Sequence, residues 1–347
     1  MNIIGCDFHA RSQHIALVDT ETGELVEKEL EHENGEARKF YAGLKEPALV
    51  GIESTSYTRW FTDLLAELGH ELVVGDAAKI RAMEARKEKH DRRDARHLLN
   101  LLLRGDFPKI WLPSAAERDV RVWLEHRHQL VQLRTRAKNG LQAVALSYGL
   151  RRGSRLWTRA GREALQKLPL REGQERRRAD LLALLAQLDR WVNELDPRIE
   201  AEVRRRPDAQ CLMTHPGVGP QTALATVLVL GPVERFPDGK HVTSYVGVIP
   251  QEESSGGRQR FGHLTKQGNR LLRFLLVEAA QTACRFDPTL KRVYRRLAFR
   301  KGHASAKVAV ARKLLIRLYI MLRDKIDYAE FCRRGSHAGM LGDVALV

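Results

Sequence analysis

The sequence predicts an α/β domain at the start of the chain, followed by two mainly helical regions. Three observations support this interpretation. Short apolar runs alternate with amphipathic segments in the first hundred or so residues, strand signals almost disappear after about residue 115, and helical periodicity dominates the last third. We place the domain boundaries at 1–112, 113–206 and 207–347, a division that a chain of 347 residues can support with separate cores.

The first region contains strand and helix signals in a recognisable order. Strands are predicted over 2–7, 14–18, 25–30, 48–53 and 70–74. Helices are predicted over 36–44, 58–68 and 94–103. Because residues 19–24 read as a turn, the second and third strands form a hairpin. A hairpin, then strand–helix–strand, then a helix with acidic residues at its start is the order of a ribonuclease-H-like fold.

The middle region shows two amphipathic patterns, in which apolar residues recur at three- and four-residue steps. The members are Leu130, Leu133, Ala137, Leu141, Val144 and Tyr148 in the first, and Leu181, Leu184, Leu188, Val192, Leu195, Ile199 and Val203 in the second. Both patterns predict long helices with coiled-coil seams. The basic residues beside them are Arg134, Arg136 and Lys138, then Arg176, Arg177 and Arg178. They suit either a solvated helix face or contacts with a nucleic-acid backbone, and the overall charge favours the contacts.

The last region opens with a glycine turn that leads into a helix. Gly217 and Gly219 frame Val218, directly before an apolar helical run. Such a turn exposes backbone N–H groups that can hold a phosphate, as in helix-hairpin-helix modules. A tight turn with Gly219 near a helix N-cap is the simpler alternative. Helices over 269–280 and 307–322 then predict a mainly α-helical domain.

The charge balance indicates a polyanionic partner. Lysine and arginine number 59 against 43 acidic residues, which gives a net charge of +16. Nucleic acid is the natural partner for such a chain, although an arginine-rich lineage would also produce this balance. We see no signal peptide and no membrane span, and the four cysteines lack metal-ligand or redox spacing. These features predict a cytoplasmic protein.

Four acidic residues form the first candidate site. Asp7 and Glu53 each end an apolar run that reads as a buried strand, and Asp91 and Asp94 lie three residues apart at a helix start. Several hard oxygen ligands that converge on cations are the requirement of two-metal phosphoryl chemistry, and they suit Mg²⁺ or Mn²⁺ better than zinc. Taken singly, Asp94 could be an N-cap and Asp91 an exposed charge.

A serine far downstream forms the second candidate site. Ser255 lies in a polar segment with Arg258 and Arg260, which could bind a scissile phosphate. Taken alone, a serine in such a segment is more often a turn residue than a nucleophile. Three more cations follow near a helix start, and these are Lys266, Arg270 and Arg273.

These motifs together resemble the insertion-sequence one-ten (IS-one-ten) family of DEDD transposases, whose relatives include the Piv pilin-gene invertases. The resemblance runs through nearly the whole chain, in a specific order and spacing. The matching motifs are Gly5-Cys6-Asp7, Gly51-Ile52-Glu53-Ser54-Thr55, Asp91-Arg92-Arg93-Asp94-Ala95-Arg96, Pro216-Gly217-Val218-Gly219, Gly247-Val248-Ile249-Pro250, Ser254-Ser255-Gly256 and Lys266-Gln267-Gly268-Asn269-Arg270-Leu271-Leu272-Arg273.

The resemblance implies a fold, a reaction and partners. The first domain would be RuvC-like, with Asp7, Glu53, Asp91 and Asp94 as a metal-binding tetrad. The last domain would supply Ser255, directly before Gly256, as the nucleophile that forms a covalent 5′-phosphoserine link to DNA. The family also implies guidance by a structured bridge RNA and a tetramer in which the tetrad of one protomer faces the serine of another.

Two other function classes remain open at this point. One is a RuvC-like metal-dependent nuclease or junction resolvase, in which water attacks the phosphate and Ser255 is structural. The other is a non-catalytic nucleic-acid-binding relative. Replacement of Ser255 by alanine separates the first from a recombinase, because hydrolysis would survive while a covalent DNA adduct would vanish.

Overall fold

The computed structural model describes residues 1–55, 58–83, 91–151, 153–252 and 260–334, and the side chains of Asp91, Arg92 and Phe261 lie outside the description. The chain divides into two compact units, Met1–Leu112 and Pro113–Val347. The finer division of the second unit at residue 206 stays a prediction. No helix in the described ranges is both long and apolar enough to cross a bilayer.

Unit 1 is built on one five-stranded mixed sheet. Its strands are β1 (Asn2–Phe8), β2 (Ser12–Asp19), β3 (Leu25–Glu31), β4 (Ala48–Glu53) and β5 (Glu71–Gly75), in the spatial order β3-β2-β1-β4-β5. The predicted hairpin is confirmed, because β1, β2 and β3 pair antiparallel in sequence. Strands β1, β4 and β5 pair parallel, so their carboxyl ends lie at one edge of the sheet.

Helices cover both faces of this sheet. They are α1 (Glu36–Ala42), α2 (Arg59–Glu67), α3 (Ala77–Ala82) and α4 (Asp91–Arg104). On one face, Ile4 and Cys6 of β1 join a core with Tyr41 of α1 and Phe61 of α2. Apolar residues of α4 form smaller cores with the other face. The result is a helix–sheet–helix arrangement that is compatible with the ribonuclease-H-like order predicted from the sequence.

Two long helices dominate the first part of unit 2. Helix α5 (Ala115–Ser147) starts at a capping box, in which the Ser114 hydroxyl accepts from the Glu117 N–H and the Glu117 carboxylate accepts from the Ser114 N–H. After a 3₁₀ turn over Gly153–Trp157 and α6 (Arg159–Gln166), helix α7 (Glu172–Arg204) packs along α5. The predicted amphipathic pair is therefore confirmed.

The seam between α5 and α7 is narrower than the sequence pattern suggested. Leu130 packs with Leu188 and Val192, and Leu141 packs with Leu185. Leu133 and Leu184, which the heptad-like pattern also included, are 42% and 45% exposed. A straight α-helix has 3.6 residues per turn, whereas a heptad pattern repeats every 3.5 residues. Over a long helix pair, the contacting residues therefore drift away from strict heptad positions.

The rest of unit 2 is mainly helical, as predicted, around one large core. Its helices are α8 (Pro207–Met213), α9 (Pro220–Leu230), α10 (Gly239–Val246), α11 (Arg270–Phe286), α12 (Pro288–Asp324) and α13 (Tyr328–Arg333), with a 3₁₀ turn over Val233–Arg235. The core draws residues from the start of α5, from the end of α7 and from α8 to α12. A short antiparallel strand pair, β6 (Pro250–Glu252) and β7 (Phe261–Leu264), interrupts the helices.

Candidate active site at the carboxyl edge of the sheet

Asp7 and Glu53 lie beside each other at the carboxyl edge of the sheet. The pairing between β1 and β4 ends at Cys6 opposite Ile52. Asp7 directly follows Cys6, and Glu53 directly follows Ile52. Side chains alternate along a strand, so Asp7 shares a face with Gly5 and Glu53 shares a face with Gly51. Both glycines face α4, which places the two carboxylates on the α4 face of the sheet.

The absence of side chains at Gly5 and Gly51 lets α4 lie close to the sheet. A Cβ on Gly5 would lie 2.3 Å from the Ala95 carbonyl oxygen and 2.3 Å from the Leu99 amide nitrogen. A Cβ on Gly51 would lie 2.7 Å from the Leu102 side chain. Real atoms cannot approach that closely, so the glycines set the distance between helix and sheet.

Helix α4 carries the other two predicted acids at its start. Asp94 is half-buried and directly precedes Ala95, the residue whose carbonyl lies over Gly5. Asp91 is the first residue of the helix, and its side chain lies outside the description. The structure thus brings the backbone that bears Asp94 to the strand that bears Asp7.

Asp7 and Glu53 have cationic or hydrogen-bonding neighbours. The Nε2 atom of His9 lies 3.1 Å from Oδ2 of Asp7, whose side chain is 15% exposed. The Arg81 guanidinium donates to Oε1 of Glu53 at 3.1 Å. A guanidinium at that position compensates a carboxylate charge that a bound cation would also compensate.

The described residues do not by themselves assemble a complete metal site. Among them, no set of three or more His, Cys, Asp or Glu side chains is grouped closely enough to hold an ion. The donors that the fold directs to this edge are carboxylate oxygens, which is the chemistry that Mg²⁺ and Mn²⁺ require. The donor type therefore fits a divalent cation, and the ligand roles of the four acids stay predictions.

A buried polar layer lies on the opposite face of β1. The Cys6 thiol donates to Oε1 of Gln13 at 3.2 Å, and both residues are fully buried. Burial raises the pKa of Cys6, and the nearby Asp7 charge raises it further. Burial also raises the pKa of Tyr41, beside Cys6. These groups stay neutral and support the strand without taking part in acid–base chemistry.

His14 is a neighbour of Asp7 that the sequence did not identify. It is the cross-strand partner of Asp7 in the β1–β2 pair, and it is paired with Glu29 on its other side. Its Nε2 atom lies 3.4 Å from Oε2 of Glu29. Strand register is the signal that would have found it, and the predicted strand bounds did not fix that register.

Ser255 and Arg258 lie outside the described residues, in the sequence range of unit 2. The described residues that flank 253–259 form the β6–β7 pair, with Glu252 opposite Phe261. Arg260, the next described residue, is exposed. The roles predicted for Ser255, Arg258 and Arg260 therefore stay predictions.

The loop before α11 is anchored firmly to the end of α10. A Cβ on Gly268 would lie 2.0 Å from the Tyr245 carbonyl oxygen, and one on Gly247 would lie 2.1 Å from the Gln267 carbonyl oxygen. Arg273 donates to the carbonyl oxygens of Val246, Gln267 and Gly268. Arg273 thus holds the loop together, and the phosphate contact that its sequence position suggested stays a prediction.

Lys266 and Arg270 are better placed for an external ligand, since both are exposed. Lys266 has a positive φ of 53°, a conformation that lysine seldom adopts. Arg270 lowers the pKa of Arg273, although burial is the larger cause. Arg270 therefore lies near Arg273, and the contact of Lys266 and Arg270 with nucleic acid stays a prediction.

The glycine turn before α9 has a structural reason for its first glycine. Gly217 has a φ of 87°, and a Cβ there would lie 2.5 Å from the Ala283 amide nitrogen of α11. Gly219 is the N-cap of α9 and has open space around it. The phosphate contacts predicted for Gly217 and Gly219 stay predictions.

Several cations of the middle region already have partners inside the protein. Arg134 lies 3.3 Å from Asp189, and Arg176 lies 2.9 Å from Asp180. Arg178 donates to the carbonyl oxygens of Leu165 and Gln166 at the end of α6. These contacts are an alternative to the nucleic-acid contacts that the charge pattern favoured.

The mixed sheet and its acidic edge are compatible with a RuvC-like DEDD transposase domain. A family model for DEDD transposases of the IS110 type matches residues 4–149. A second model, described as the transposase IS116/IS110/IS902 family, matches residues 209–295. The chain belongs to the IS110/IS116/IS902 family of transposases.

Curated relatives extend these matches. The chain is 27% identical over 292 residues to a probable family 20 transposase of Pseudomonas aeruginosa, which covers 81% of this chain and 84% of the relative. It is 27% identical over 241 residues to the transposase for insertion sequence element IS1111A of Coxiella burnetii, covering 66% of this chain and 65% of the relative. It is 24% identical over 289 residues to the transposase for insertion sequence element IS1328 of Yersinia enterocolitica, covering 81% and 83%.

Proposed function

We propose that this transposase cuts and rejoins DNA through a covalent 5′-phosphoserine intermediate, with Ser255 as the nucleophile. The observation that carries the proposal is the placement of Asp7 and Glu53 on the α4 face of adjacent parallel strand ends, beneath a helix that begins with Asp91 and Asp94. A carboxylate edge of this kind is a means of handling the charge of a phosphodiester.

The four acids are the residues that would hold Mg²⁺ or Mn²⁺. Such a cation, when bound, supplies Lewis-acid polarisation of the phosphate oxygens. Asp7 and Glu53 are fixed by strand pairing, and Asp94 is fixed by the close contact of α4 with Gly5. Rigid elements position ligands more accurately than loops do.

The proposed chemistry is balanced in two steps. The Oγ atom of Ser255 forms a bond to phosphorus, the bond from phosphorus to O3′ breaks, and a 3′-hydroxyl leaves with a proton. In the return step a 3′-hydroxyl attacks the phosphoserine and releases the serine hydroxyl. The phosphoserine bond conserves the free energy of the phosphodiester bond that was broken, so the strands are rejoined without an external energy source. Arg258 and Arg260 would steady the charge on the phosphate.

The proposal includes two partners besides DNA. A structured bridge RNA would guide target choice, and four protomers would share composite active sites in which the tetrad of one faces the serine of another. The resemblance supports both features, and the net charge of +16 suits binding of two nucleic acids. The location proposed for the reaction is the cytoplasm, at the nucleoid.

A trapping experiment tests the reaction. The purified protein is incubated with end-labelled DNA that carries the ends of the insertion element. The mixture also contains Mg²⁺ or Mn²⁺ and an RNA transcript of the noncoding segment that flanks the gene. The products are then resolved on a denaturing gel. We expect a protein-linked DNA band for the wild type and for Ser254→Ala, and none for Ser255→Ala. Asp7→Asn should also lose the band, while Asp106→Asn, an exposed carboxylate of the same unit, should keep it.

The outcomes separate the alternatives. Cleavage by Ser255→Ala without an adduct would replace the proposal with hydrolysis by water. Full activity of Asp7→Asn would show that the reaction does not require the acidic edge. Equal activity with and without the flank transcript would remove the guide RNA while leaving the serine chemistry intact.

A further inference from the structure

Helix α12 is folded back on itself at Gly302. This glycine has a φ of 80° and a ψ of 163°, which no helical residue adopts. Thirty residues of straight helix would span about 45 Å. Yet Arg317 of the second segment forms an ion pair with Asp287, directly before the first segment. The Tyr294 hydroxyl also lies 2.9 Å from Nδ1 of His303, across the bend. We call residues 296–307 the hairpin tip.

The tip lies outside the main core of unit 2. Leu290 from the first segment and Val310 from the second belong to that core. Leu297 and Ala306 are buried, but neither belongs to it. Residues 299–305 are all exposed. The tip is therefore a projecting element, anchored at its base by packing and by the Arg317–Asp287 pair.

The hairpin is strongly and uniformly basic. Helix α12 has eleven lysines and arginines, and its only acidic residue is Asp324 at the far end. In the tip, Arg296, Arg300 and Lys301 are exposed. Among the described residues, no carboxylate pairs with any of these three.

Helix α7 shows that an excess of unpaired cations is not common to all long helices of this protein. It has six arginines and eight acidic residues over 33 positions. Arg176 and Arg190 pair with acids one turn later, at 2.9 and 3.1 Å. An ordinary solvated helix of this chain neutralises its cations with neighbouring acids. In α12 the two cations paired with acids, Arg317 and Arg323, lie in the second segment. The tip cations Arg296, Arg300 and Lys301 have no such pair among the described residues, so their charge remains available to an external anion.

The cations of α12 also repel one another. Burial lowers the pKa of Lys313, and the charges of Arg296, Arg317 and Arg312 lower it further. A polyanion bound to the hairpin would relieve that repulsion. The charge arrangement is thus complementary to a chain of phosphates.

The aromatic ring of Phe299 lies in the same part of the hairpin as these cations. The Phe299 side chain is 94% exposed, the highest value among the large hydrophobic residues in the described ranges. It is flanked on the same helix by Arg296 and Arg300. An exposed aromatic ring with cations nearby on the same element is suited to stack an unpaired base while the cations hold its backbone.

We propose that the hairpin tip binds single-stranded nucleic acid, with Arg296, Arg300 and Lys301 on the phosphates and Phe299 stacked on a base. The proposal deepens the proposed transposase function, since strand exchange and RNA guidance both present unpaired strands. The tip lies just beyond the region that the two family models match, since the second match stops at residue 295.

Binding by the full-length protein tests the inference. Fluorescence anisotropy would be recorded for a labelled 20-nucleotide single-stranded DNA, the RNA of the same sequence and the matching duplex, over a range of salt. For the triple variant Arg296→Gln, Arg300→Gln, Lys301→Gln we expect the slope of log K against log salt to fall by about two on single strands. Phe299→Ala should weaken single-strand binding by roughly five- to hundredfold, with a much smaller effect on the duplex.

Matched variants control for charge and folding. The triple variant Arg159→Gln, Arg176→Gln, Arg190→Gln removes the same charge from exposed positions that already pair with acids. It should leave the slope close to that of the wild type. Phe299→Trp should restore the binding that Phe299→Ala loses. The two arms of single-stranded DNA and RNA show which strand the tip prefers.

Three results would overturn the inference. Equal loss in both triple variants would mean that only net charge matters. Equal effects of Phe299→Ala on duplex and single strands would remove base stacking. A change in oligomeric state by light scattering, with binding intact, would make Phe299 a protein–protein contact. Asp106→Asn should bind normally in all arms, and binding is recorded without Mg²⁺ or Mn²⁺, so failure of the acidic edge in catalysis can be distinguished from failure of the tip in binding.

Discussion

His215 makes the stability of unit 2 depend on pH. The residue lies in the turn between α8 and α9 and is 1% exposed. Its Nδ1 donates to the Pro216 carbonyl at 2.9 Å, which leaves Nε2 as the unprotonated nitrogen. Nε2 is buried without a hydrogen-bond partner among the described residues. Burial, with a smaller contribution from Arg317, lowers the pKa of His215 from 6.5 to about 4.

The sign and size of the effect follow from linkage. Between pH 6.5 and 4 the unfolded chain binds a proton at this residue that the folded chain does not. The contribution of His215 is therefore fully present above pH 6.5 and is lost as the pH falls towards 4. At about 1.4 kcal/mol per pH unit, the total loss is about 3 kcal/mol, of which about 2 kcal/mol is lost by pH 5.

Urea unfolding followed by circular dichroism at pH 5 and pH 8 measures this effect. The wild type should lose about 2 kcal/mol more of its free energy of unfolding between these pH values than His215→Phe does. The same substitution at the exposed His126 should leave the wild-type difference unchanged. If His215→Phe shows the same pH dependence as the wild type, the assignment of a neutral, unpaired imidazole is wrong.

Two further predictions concern the acidic edge. Gly5→Ala should lower the free energy of unfolding of unit 1 by about 1–3 kcal/mol or more, because its Cβ would overlap the backbone of α4; Gly173→Ala, which has open space around it, should be neutral or stabilising. Denaturant titration of both variants decides this, and an unchanged Gly5→Ala would contradict the close contact. Arg81→Ala should raise Mn²⁺ affinity by up to about fivefold, since it removes an exposed competitor for Glu53; titration by electron paramagnetic resonance checks this, and weaker Mn²⁺ binding would show that Arg81 supports the site rather than competes for it.

Much of the fold could be predicted from local sequence. The five strands of unit 1 and helices α1, α2 and α4 lie within a few residues of their predicted bounds, because alternating and 3.6-residue patterns report burial directly. Helix α3 was not predicted, because six residues are too few to show a period. Its signal was Asp76, whose carboxylate accepts from the N–H groups of Ala78 and Lys79 as an N-cap. The β6–β7 pair was missed because both strands are short.

The candidate site was less accessible to sequence reasoning. Residue type and order suggested Asp7 and Glu53, but the shared face depends on the β1–β4 register and on the contact of α4 with Gly5. Neither the register nor the contact can be predicted from a single amino-acid sequence. Arg273 shows the same limit, since its hydrogen bonds to three carbonyl oxygens depend on the fold of the loop before α11, which its position near a helix start does not reveal.

The buried thiol beside Asp7 offers a chemical reporter of strand β1. Cys6 is 0% exposed, whereas Cys332 is exposed and Cys211 and Cys284 are intermediate. An alkylating reagent should therefore modify Cys332 first and reach Cys6 only when β1 separates from its neighbours. The rate of that last modification measures how often the native sheet opens at the edge that bears the carboxylates.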